Sequence, residues 1–347
     1  MNNYQKINLL GLNKQDIFKI TKENHWPAYR ADQIYTWVYK GVESIDLMHN
    51  LPLTLREELN KKYTVSHLTI IKKIKEKNTN TIKYLLKTED NLAIEAVLMH
   101  YKHGVSLCIS SQAGCNMACS FCASAIGGLQ RNLTAGEMLS QVYVIQKDSA
   151  QRISNIVMMG SGEPLENYEN TIDFLKLITD QDGLNISKRS ITLSTCGIAE
   201  KIYSLADSDT GINLSVSLHN PFQQQREKIM PIAKRIPLDQ LLKACFYYVY
   251  KTKRRITFEY ALIDGINDTL YHAQELIKIL KGLNCLVNLI PANDISNKNI
   301  KKSSEENIKK FYDILTKNNV NTTIRRTLGS SINAACGQLK AGIYKED

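Results

Sequence analysis

Three cysteines lie within eight residues in the segment CNMACSFC, as Cys115, Cys119 and Cys122. Thiolates crowded into one loop are typical of a metal or cluster site in a reducing compartment. Structural zinc requires four closed ligands, and neither a second pair at finger spacing nor Cys108, inside a predicted strand, provides the fourth. Three cysteines on a [4Fe–4S] cluster leave one iron open to another ligand. The pattern favours such a cluster over zinc or three unrelated buried cysteines.

The composition is that of a globular protein with a large core. The chain has 347 residues, 43% of them hydrophobic, which suffices for one large domain and a smaller one. Eight irregularly spaced cysteines do not indicate a secreted disulfide scaffold. No apolar run approaches the roughly 18–20 residues that span a bilayer, and no leader opens the sequence. We therefore expect a cytoplasmic, monomeric protein without a membrane partner.

The net charge of +10 indicates a polyanionic partner. For any single basic run, a solvated face is an equally good explanation. The runs recur along the chain, which favours RNA or DNA. They comprise Lys72, Lys73, Lys75 and Lys77; Lys251, Lys253, Arg254 and Arg255; and Lys301, Lys302, Arg325 and Arg326.

Residues 1–100 are predicted to form a small, mostly helical accessory domain that binds RNA. The stretch PAYRADQIYTWVYKG repeats apolar residues at helical spacing, at Ile34, Trp37 and Val38. From about residue 68 to 101, short apolar runs broken by polar residues predict a small antiparallel sheet.

Residues 101–347 alternate predicted strands and helices. The strands are VSLCISS, ISNIVMMG, SITLST, INLSVSL, RITFEYAL and CLVNLIP, and Thr134 with Glu137 forms a capping-box pattern before the first helix. Six successive β/α units predict an α/β fold, a partial (βα)6 TIM-type barrel that stays open. Chemistry in such folds lies where strands end, and every motif of this chain falls there.

Five further sequence stretches indicate which family of cluster-containing enzymes the chain resembles. They are GSGEPLEN, ITLSTCG, LSVSLHNP, NLIPAN and INAACGQL, and each follows or ends a predicted strand or loop. Together with the cysteine triplet, they resemble the RlmN/Cfr family of radical S-adenosylmethionine (SAM) RNA adenine methyltransferases, most closely its RlmN branch. The resemblance covers essentially the whole chain. It implies a radical SAM barrel, a [4Fe–4S] cluster on Cys115, Cys119 and Cys122, and two SAM molecules per turnover.

The resemblance also implies which residues contact SAM. Carboxylate, hydroxyl and backbone groups at strand ends suit the amino, ribose and adenine groups of that molecule. A histidine by itself would more often be a satisfied core residue. The implied contacts are Gly162, Glu163, Ser194, Ser217, Leu218, His219 and Asn293.

Three catalytic roles follow from the same resemblance. Cys336 is the methyl carrier that forms S-methylcysteine, Glu95 is the general base, and Cys108 is the resolving thiol that forms a transient disulfide with Cys336. Asn333 replaces an aspartate that the family usually has, which removes a negative charge near Cys336. The remaining cysteines have no implied role and are interpreted as core or loop residues: Cys196, Cys245 and Cys285.

The implied activity is formation of 2-methyladenosine in 23S rRNA, at the peptidyl transferase centre, and in tRNA next to the anticodon. A low-potential donor such as flavodoxin or ferredoxin would supply electrons. Two alternatives stay open. One is a C8-adenine 23S rRNA methyltransferase of the Cfr type, and the other is a non-catalytic Fe–S module that binds RNA or senses redox state, in which Cys336 and Glu95 would be dispensable.

Overall fold

The computed structural model describes residues 6–102, 104–292, 300–326 and 328–339, and the backbone of 342–343. Its first part is helical, as predicted. A capping box at Asn13 opens the first helix, and Ile34 and Val38 are buried on the second. The elements are β1 (Ile7–Asn8), α1 (Lys14–Glu23), α2 (Tyr29–Tyr39), α3 (Leu53–Lys62) and β2 (Tyr63–Thr64), with β1 parallel to β2.

Three antiparallel strands follow, β3 (Thr69–Lys75), β4 (Ile82–Lys87) and β5 (Leu92–Tyr101). They confirm the antiparallel prediction, but they do not form a separate small sheet. Strand β5 pairs with β6 (Gly104–Cys108), so the three strands extend the sheet formed by residues 101–347. Backbone hydrogen bonds therefore cross the predicted domain boundary at residue 100, and that boundary stays a prediction.

Parallel strands form the main part of this sheet, in the order β6, β9, β10, β11, β12, β13, β14. Six of them are the predicted strands, and the seventh adds to the edge. Their bounds are β9 (Asn155–Met158), β10 (Ile191–Thr195), β11 (Asn213–Ser217), β12 (Ile256–Leu262), β13 (Cys285–Pro291) and β14 (Thr322–Ile324). The strand order ends at β14 and β3 without closing, as the partial-barrel prediction requires.

Helices connect these strands and cover the sheet. The capping box of Thr134 and Glu137 opens the first one, as the sequence predicts. The helices are α4 (Ala135–Ser149), α5 (Tyr168–Ile178), α6 (Ala199–Asp207), α7 (Gln223–Ile229), α8 (Leu238–Thr252), α9 (Leu270–Ile279) and α10 (Glu305–Lys317). Within the described ranges, no helix combines the length and the apolar character needed to cross a membrane.

Two short pairings complete the architecture. An antiparallel hairpin of β7 (Gln112–Gly114) and β8 (Leu129–Asn132) lies apart from the main sheet and encloses the cysteine triplet between its strands. Strand β15 (Gly342–Ile343) pairs with β5, which ties the segment beyond Cys336 to the antiparallel extension.

The accessory region packs closely on α4 at Gly136. A Cβ atom there would lie 2.0 Å from the carbonyl oxygen of Leu10. We predict that Gly136→Ala destabilises the protein by about 1–3 kcal/mol, because backbone must separate to admit the methyl group. Urea unfolding measures this loss.

Gly183→Ala is the matched control, since its added Cβ would meet only ordinary contacts at 3.5 Å or more. Equal stabilities of the two variants would contradict the close packing of α4 on the accessory region.

Candidate active site

The loop that carries the cysteine triplet is shaped by backbone hydrogen bonds at its ends and middle. The Cys115 amide donates to the Gly128 carbonyl oxygen at 3.2 Å, where the β7–β8 hairpin opens into the loop. The Ser120 amide donates to the Ile229 carbonyl oxygen at 2.9 Å, which fastens the loop to α7. The loop therefore holds its thiols over the end of the sheet.

Burial changes the chemistry of these thiols. It raises the pKa of Cys115 to about 12, and it raises the pKa of Cys119 as well. Thiols in such surroundings keep their protons until a cation replaces them. Within the described parts of the chain, no three His, Cys, Asp or Glu side chains converge closely enough to hold a single metal ion.

An open cavity of about 970 Å³, including solvent at its mouth, brings most of the predicted site together. We call it the cysteine cavity. Its lining includes Cys115, Cys119, Cys122, Gly162, Glu163, Ser194, Ser217, His219 and Cys336. Leu218 does not line it and is fully buried. Asn293 lies outside the described residues.

Glu163 is a fixed, buried carboxylate in this cavity. Its Oε2 accepts a hydrogen bond from the Cys196 amide at 2.6 Å, and its Oε1 accepts one from the Leu165 amide at 2.9 Å. Burial raises the pKa of Glu163, and these hydrogen bonds oppose the change. The side chains of Cys196 and Thr195 also form hydrogen bonds with this carboxylate, whose oxygens are acceptors for a ligand with N–H donors.

Gly162 must be a glycine for the preceding turn to form. Its φ is +105°, and a Cβ atom would lie 2.6 Å from the Cβ of Gln112. The Gln112 side chain in turn accepts a hydrogen bond from the Glu163 amide at 2.8 Å. Close backbone contact with β7 therefore positions Glu163.

His219 is a neutral imidazole with one nitrogen committed. Its Nδ1 lies 2.9 Å from the Ala261 amide, which donates to it, so the ring hydrogen is on Nε2. Burial lowers the pKa of His219 to about 3, and the Arg226 charge adds to the effect. A neutral ring at the cavity wall can donate one hydrogen bond to a ligand.

The Cys336 segment is attached directly to the cysteine loop. The Ala123 amide donates to the Gly337 carbonyl oxygen at 2.6 Å, and Ser124 Oγ donates to the Leu339 carbonyl oxygen at 2.8 Å. Gly337 has a φ of +80°, and a Cβ atom there would lie 2.8 Å from the Phe121 carbonyl oxygen. The close approach places Cys336 beside the triplet.

Cys336 also borders a second cavity of about 520 Å³, together with Cys108. We call it the thiol cavity, and Val97, Tyr101 and Arg325 are also in its wall. Burial raises the pKa of Cys108 to about 12; Cys336 adds to this increase, whereas Arg325 opposes it. The structure therefore brings the two cysteines of the predicted disulfide to one cavity.

Glu95 lies on β5, next to the thiol cavity rather than in its lining. The sequence places it among apolar side chains, but the structure adds a cation. Lys83 Nζ lies 3.0 Å from Glu95 Oε1 and 3.2 Å from the carbonyl oxygen of Asn333, to which it donates. Asn333 thus contributes its backbone to the site.

Sequence analysis missed several groups that shape these cavities. Arg226 is almost fully buried and donates from its guanidinium to the carbonyl oxygens of Leu218, Cys196 and Ser217. Arg325 lines both cavities, although the sequence suggested only a basic run. Neither lies in a recognisable motif, so no pattern in the sequence identified them.

Comparisons with known proteins agree with this geometry. Residues 109–277 match the radical SAM superfamily, and residues 7–65 match the ribosomal RNA large subunit methyltransferase N-terminal domain. A Clostridium tetani protein named probable dual-specificity RNA methyltransferase RlmN is 48% identical over 344 residues, covering 99% of each chain. The chain belongs to the RlmN family.

Other relatives support the same family. A Clostridioides difficile protein with that name is 47% identical over 97% of this chain and 98% of its own. The crystal structure of a radical SAM methyltransferase from Sphaerobacter thermophilus superposes with a TM-score of 0.91, at 40% identity, over 96% of this chain and 99% of that one. The match extends through the accessory region as well as the barrel.

Radical SAM membership implies a [4Fe–4S] cluster and SAM, and the cysteine cavity suits both. Three thiols in its lining would provide three cluster ligands and leave one iron open. The Glu163 carboxylate, the Ser194 hydroxyl and the His219 ring line the same cavity, where they can form hydrogen bonds with the polar groups of SAM. The donor set therefore fits an RlmN family site.

We predict that protein reconstituted without oxygen is brown and carries about four irons per chain, since three thiols would hold a [4Fe–4S] cluster. Cys115→Ala should abolish iron binding, measured by iron assay and charge-transfer absorbance. Cys245→Ala, a buried cysteine on α8, is the matched control and should keep the iron. Stoichiometric zinc in the wild-type protein would contradict the cluster.

Proposed function

We propose that this protein is a SAM-dependent radical methyltransferase that forms 2-methyladenosine in 23S rRNA and in tRNA next to the anticodon. The observation that carries the proposal is the place of Cys336. It borders the cysteine cavity on one side and shares the thiol cavity with Cys108 on the other. The printed name of the relatives, dual-specificity RNA methyltransferase, supports two RNA substrates.

The cluster and SAM, when bound, supply an electrophilic methyl group and a 5′-deoxyadenosyl radical that abstracts hydrogen. Cys336 carries the methyl group because a ring carbon such as adenine C2 is too weak a nucleophile to take it from SAM directly. We infer that one SAM provides the methyl group and a second provides the radical. Loss of a hydrogen atom would leave the S-methyl carbon of Cys336 as a radical that adds to the ring. The radical adduct would then lose one electron, which the oxidised cluster could accept, and protein and RNA would be joined through a thioether.

Release requires two further groups of this chain. Glu95 accepts the proton from the ring carbon, which requires a carboxylate held close to the adduct. The Cys108 thiolate attacks the Cys336 sulfur, and the S–S bond forms as the bond from sulfur to the methylene carbon breaks. The electron pair of the broken bond stays with the methylene carbon, which takes up a proton and becomes the methyl group. The methylated RNA leaves, and the Cys108–Cys336 disulfide must be reduced before the next turnover. We infer that a low-potential donor such as flavodoxin or ferredoxin supplies the electron for each radical step, and that the protein acts as a monomer.

Nucleoside analysis tests the activity and its regiochemistry. Ribosomal RNA and tRNA from cells with and without this protein are digested, and 2-methyladenosine is separated from 8-methyladenosine. Loss of 2-methyladenosine from both RNAs on deletion supports the proposal. Loss of 8-methyladenosine instead would assign the Cfr-type reaction, and unchanged RNA would favour the non-catalytic module.

Cys108→Ala should trap the enzyme on its RNA. The variant keeps the cluster ligands, Glu95 and Cys336, so that the adduct forms, but it lacks the thiolate that cleaves the thioether. A covalent species that survives denaturant and disappears with nuclease should accumulate on gels. Cys336→Ala should give none, because nothing carries the methyl group, and Cys245→Ala should behave as wild type. Normal turnover by Cys108→Ala would assign the resolving role to another thiol.

Release should accelerate as pH rises from 7 to 9. The pKa of Cys108 is raised to about 12, so the reactive thiolate is scarce at pH 7. Its fraction increases about tenfold per pH unit while the pH stays below the pKa. Rapid-quench measurement of adduct decay in single turnovers gives the rate at each pH. A flat profile would mean that thiolate formation does not limit release.

We infer that residues 1–100 contribute RNA-binding surface. Lys72, Lys73 and Lys75 are exposed on β3, the edge strand of the extension, although Lys73 also pairs with Asp148 at 2.9 Å. Lysines on an edge strand also prevent sheet-to-sheet association, so RNA binding needs its own test.

Substituting all three lysines with glutamine should weaken RNA binding and reduce its salt dependence, because fewer counterions are released. Iron content should not change. The test is the RNA affinity of variant and wild type, measured from low to high salt. If the affinity of both falls with salt at the same slope, these lysines do not contact RNA and only form a solvated surface.

A further inference from the structure

An ion pair joins two neighbouring strands beside the thiol cavity. Lys83 on β4 lies opposite Val97 on β5, and Leu85 lies opposite Glu95. Residues directly opposite share a face, and alternate residues of a strand share it too. Lys83 and Glu95 are therefore diagonal neighbours on one face, within reach of a long side chain. Val97 also pairs with Cys108 on β6, which places the resolving thiol on that same face.

This pair is largely withdrawn from solvent. The side chains of Lys83 and Glu95 are 12% and 11% exposed, and Nζ lies 3.0 Å from Oε1. By contrast, the pair of Lys176 and Asp173 on α5 has a similar distance, 3.1 Å, with more than half of each side chain exposed. Burial of a charge lowers the stability of the folded protein unless an opposite charge lies beside it, whereas an exposed ion pair changes that stability little. Because both side chains are largely buried, the loss of either charge would leave the other one unmatched, so the folded protein favours an intact ion pair.

The same ammonium group reaches the Cys336 segment. Lys83 Nζ donates to the carbonyl oxygen of Asn333 at 3.2 Å, three residues before Cys336. Asn333 has a φ of +51°, a left-handed conformation that asparagine tolerates better than most residues. One side chain thus contacts both the proposed base and the backbone that leads to the methyl carrier.

We propose that Lys83 is a positioning residue for the release step. It holds the Glu95 carboxylate at a fixed distance from the Cys336 segment, so that the base faces the ring proton once RNA is joined to Cys336. Lys83 forms and breaks no covalent bond; Glu95 accepts the proton. The inference rests on the proposed function, since it gives Lys83 a role only if Glu95 and Cys336 act on an adduct.

The test compares adduct formation with adduct decay in Lys83→Gln, Lys83→Arg, Glu95→Gln and the control Lys176→Gln. Iron content and S-methylation of Cys336, read by mass spectrometry, should match wild type in all four. Lys83→Gln should form the denaturant-stable adduct but release it about tenfold to a hundredfold more slowly, because a misplaced base loses its alignment. Lys83→Arg should recover much of the rate, and Lys176→Gln should lose none.

A double variant distinguishes loss of the positioning role from a general loss of folded protein. Lys83→Gln combined with Glu95→Gln removes both charges of the pair, and it should release adduct no more slowly than Glu95→Gln alone, since coupled residues are not additive. Decay of the Lys83→Gln adduct at the wild-type rate, or additive slowing in the double variant, would overturn the proposal. If Glu95→Gln itself releases product normally, the assignment of the base fails, and that failure is seen without any Lys83 variant.

Discussion

Two hydrogen bonds hold the segment carrying Cys336 against the loop carrying the three clustered cysteines. The Ala123 amide and the Ser124 hydroxyl donate to the carbonyl oxygens of Gly337 and Leu339. Both acceptors are backbone carbonyl groups, so the hydrogen bonds do not use the side chains of residues 337 and 339. The close approach nevertheless requires glycine at 337, because a Cβ atom there would lie too near the Phe121 carbonyl oxygen. Without it, Cys336 would not border the cysteine cavity, and the thiol cavity would lose one of its two cysteines.

The sheet supplies the second constraint, through its register. Antiparallel pairing places Lys83, Glu95 and Cys108 on a single face of β4, β5 and β6. Parallel strands then continue from β6, and their ends carry the residues that line the cysteine cavity. A shift of one residue in the β5 register would turn Glu95 away from this face. The position of the proposed base thus depends on backbone pairing as much as on its own contacts.

The sequence predicted the features that depend on local pattern. Alternating strands and helices, the capping box at Thr134 and the grouping of most predicted site residues around one cavity follow from periodicity or from motif resemblance, and the structure has them. It did not predict that β3, β4 and β5 join the main sheet, because pairing partners distant in the chain leave no local signal. The same limit applies to Lys83 and Arg325, which look like ordinary basic residues until the fold brings them to the site.

The attachment of Ser124 to Leu339 spans 215 positions in the chain, which has a consequence for how the molecule folds. Closing a flexible loop of that length would cost about 5 kcal/mol of chain entropy, far more than one hydrogen bond returns. The strands and helices between the two segments must therefore form first, because only a compact intermediate brings the ends near each other. Non-local contacts of this kind form late in folding. A partly folded chain consequently keeps Cys336 apart from the cysteine loop, and the reactive centre exists only in molecules whose sheet is already complete.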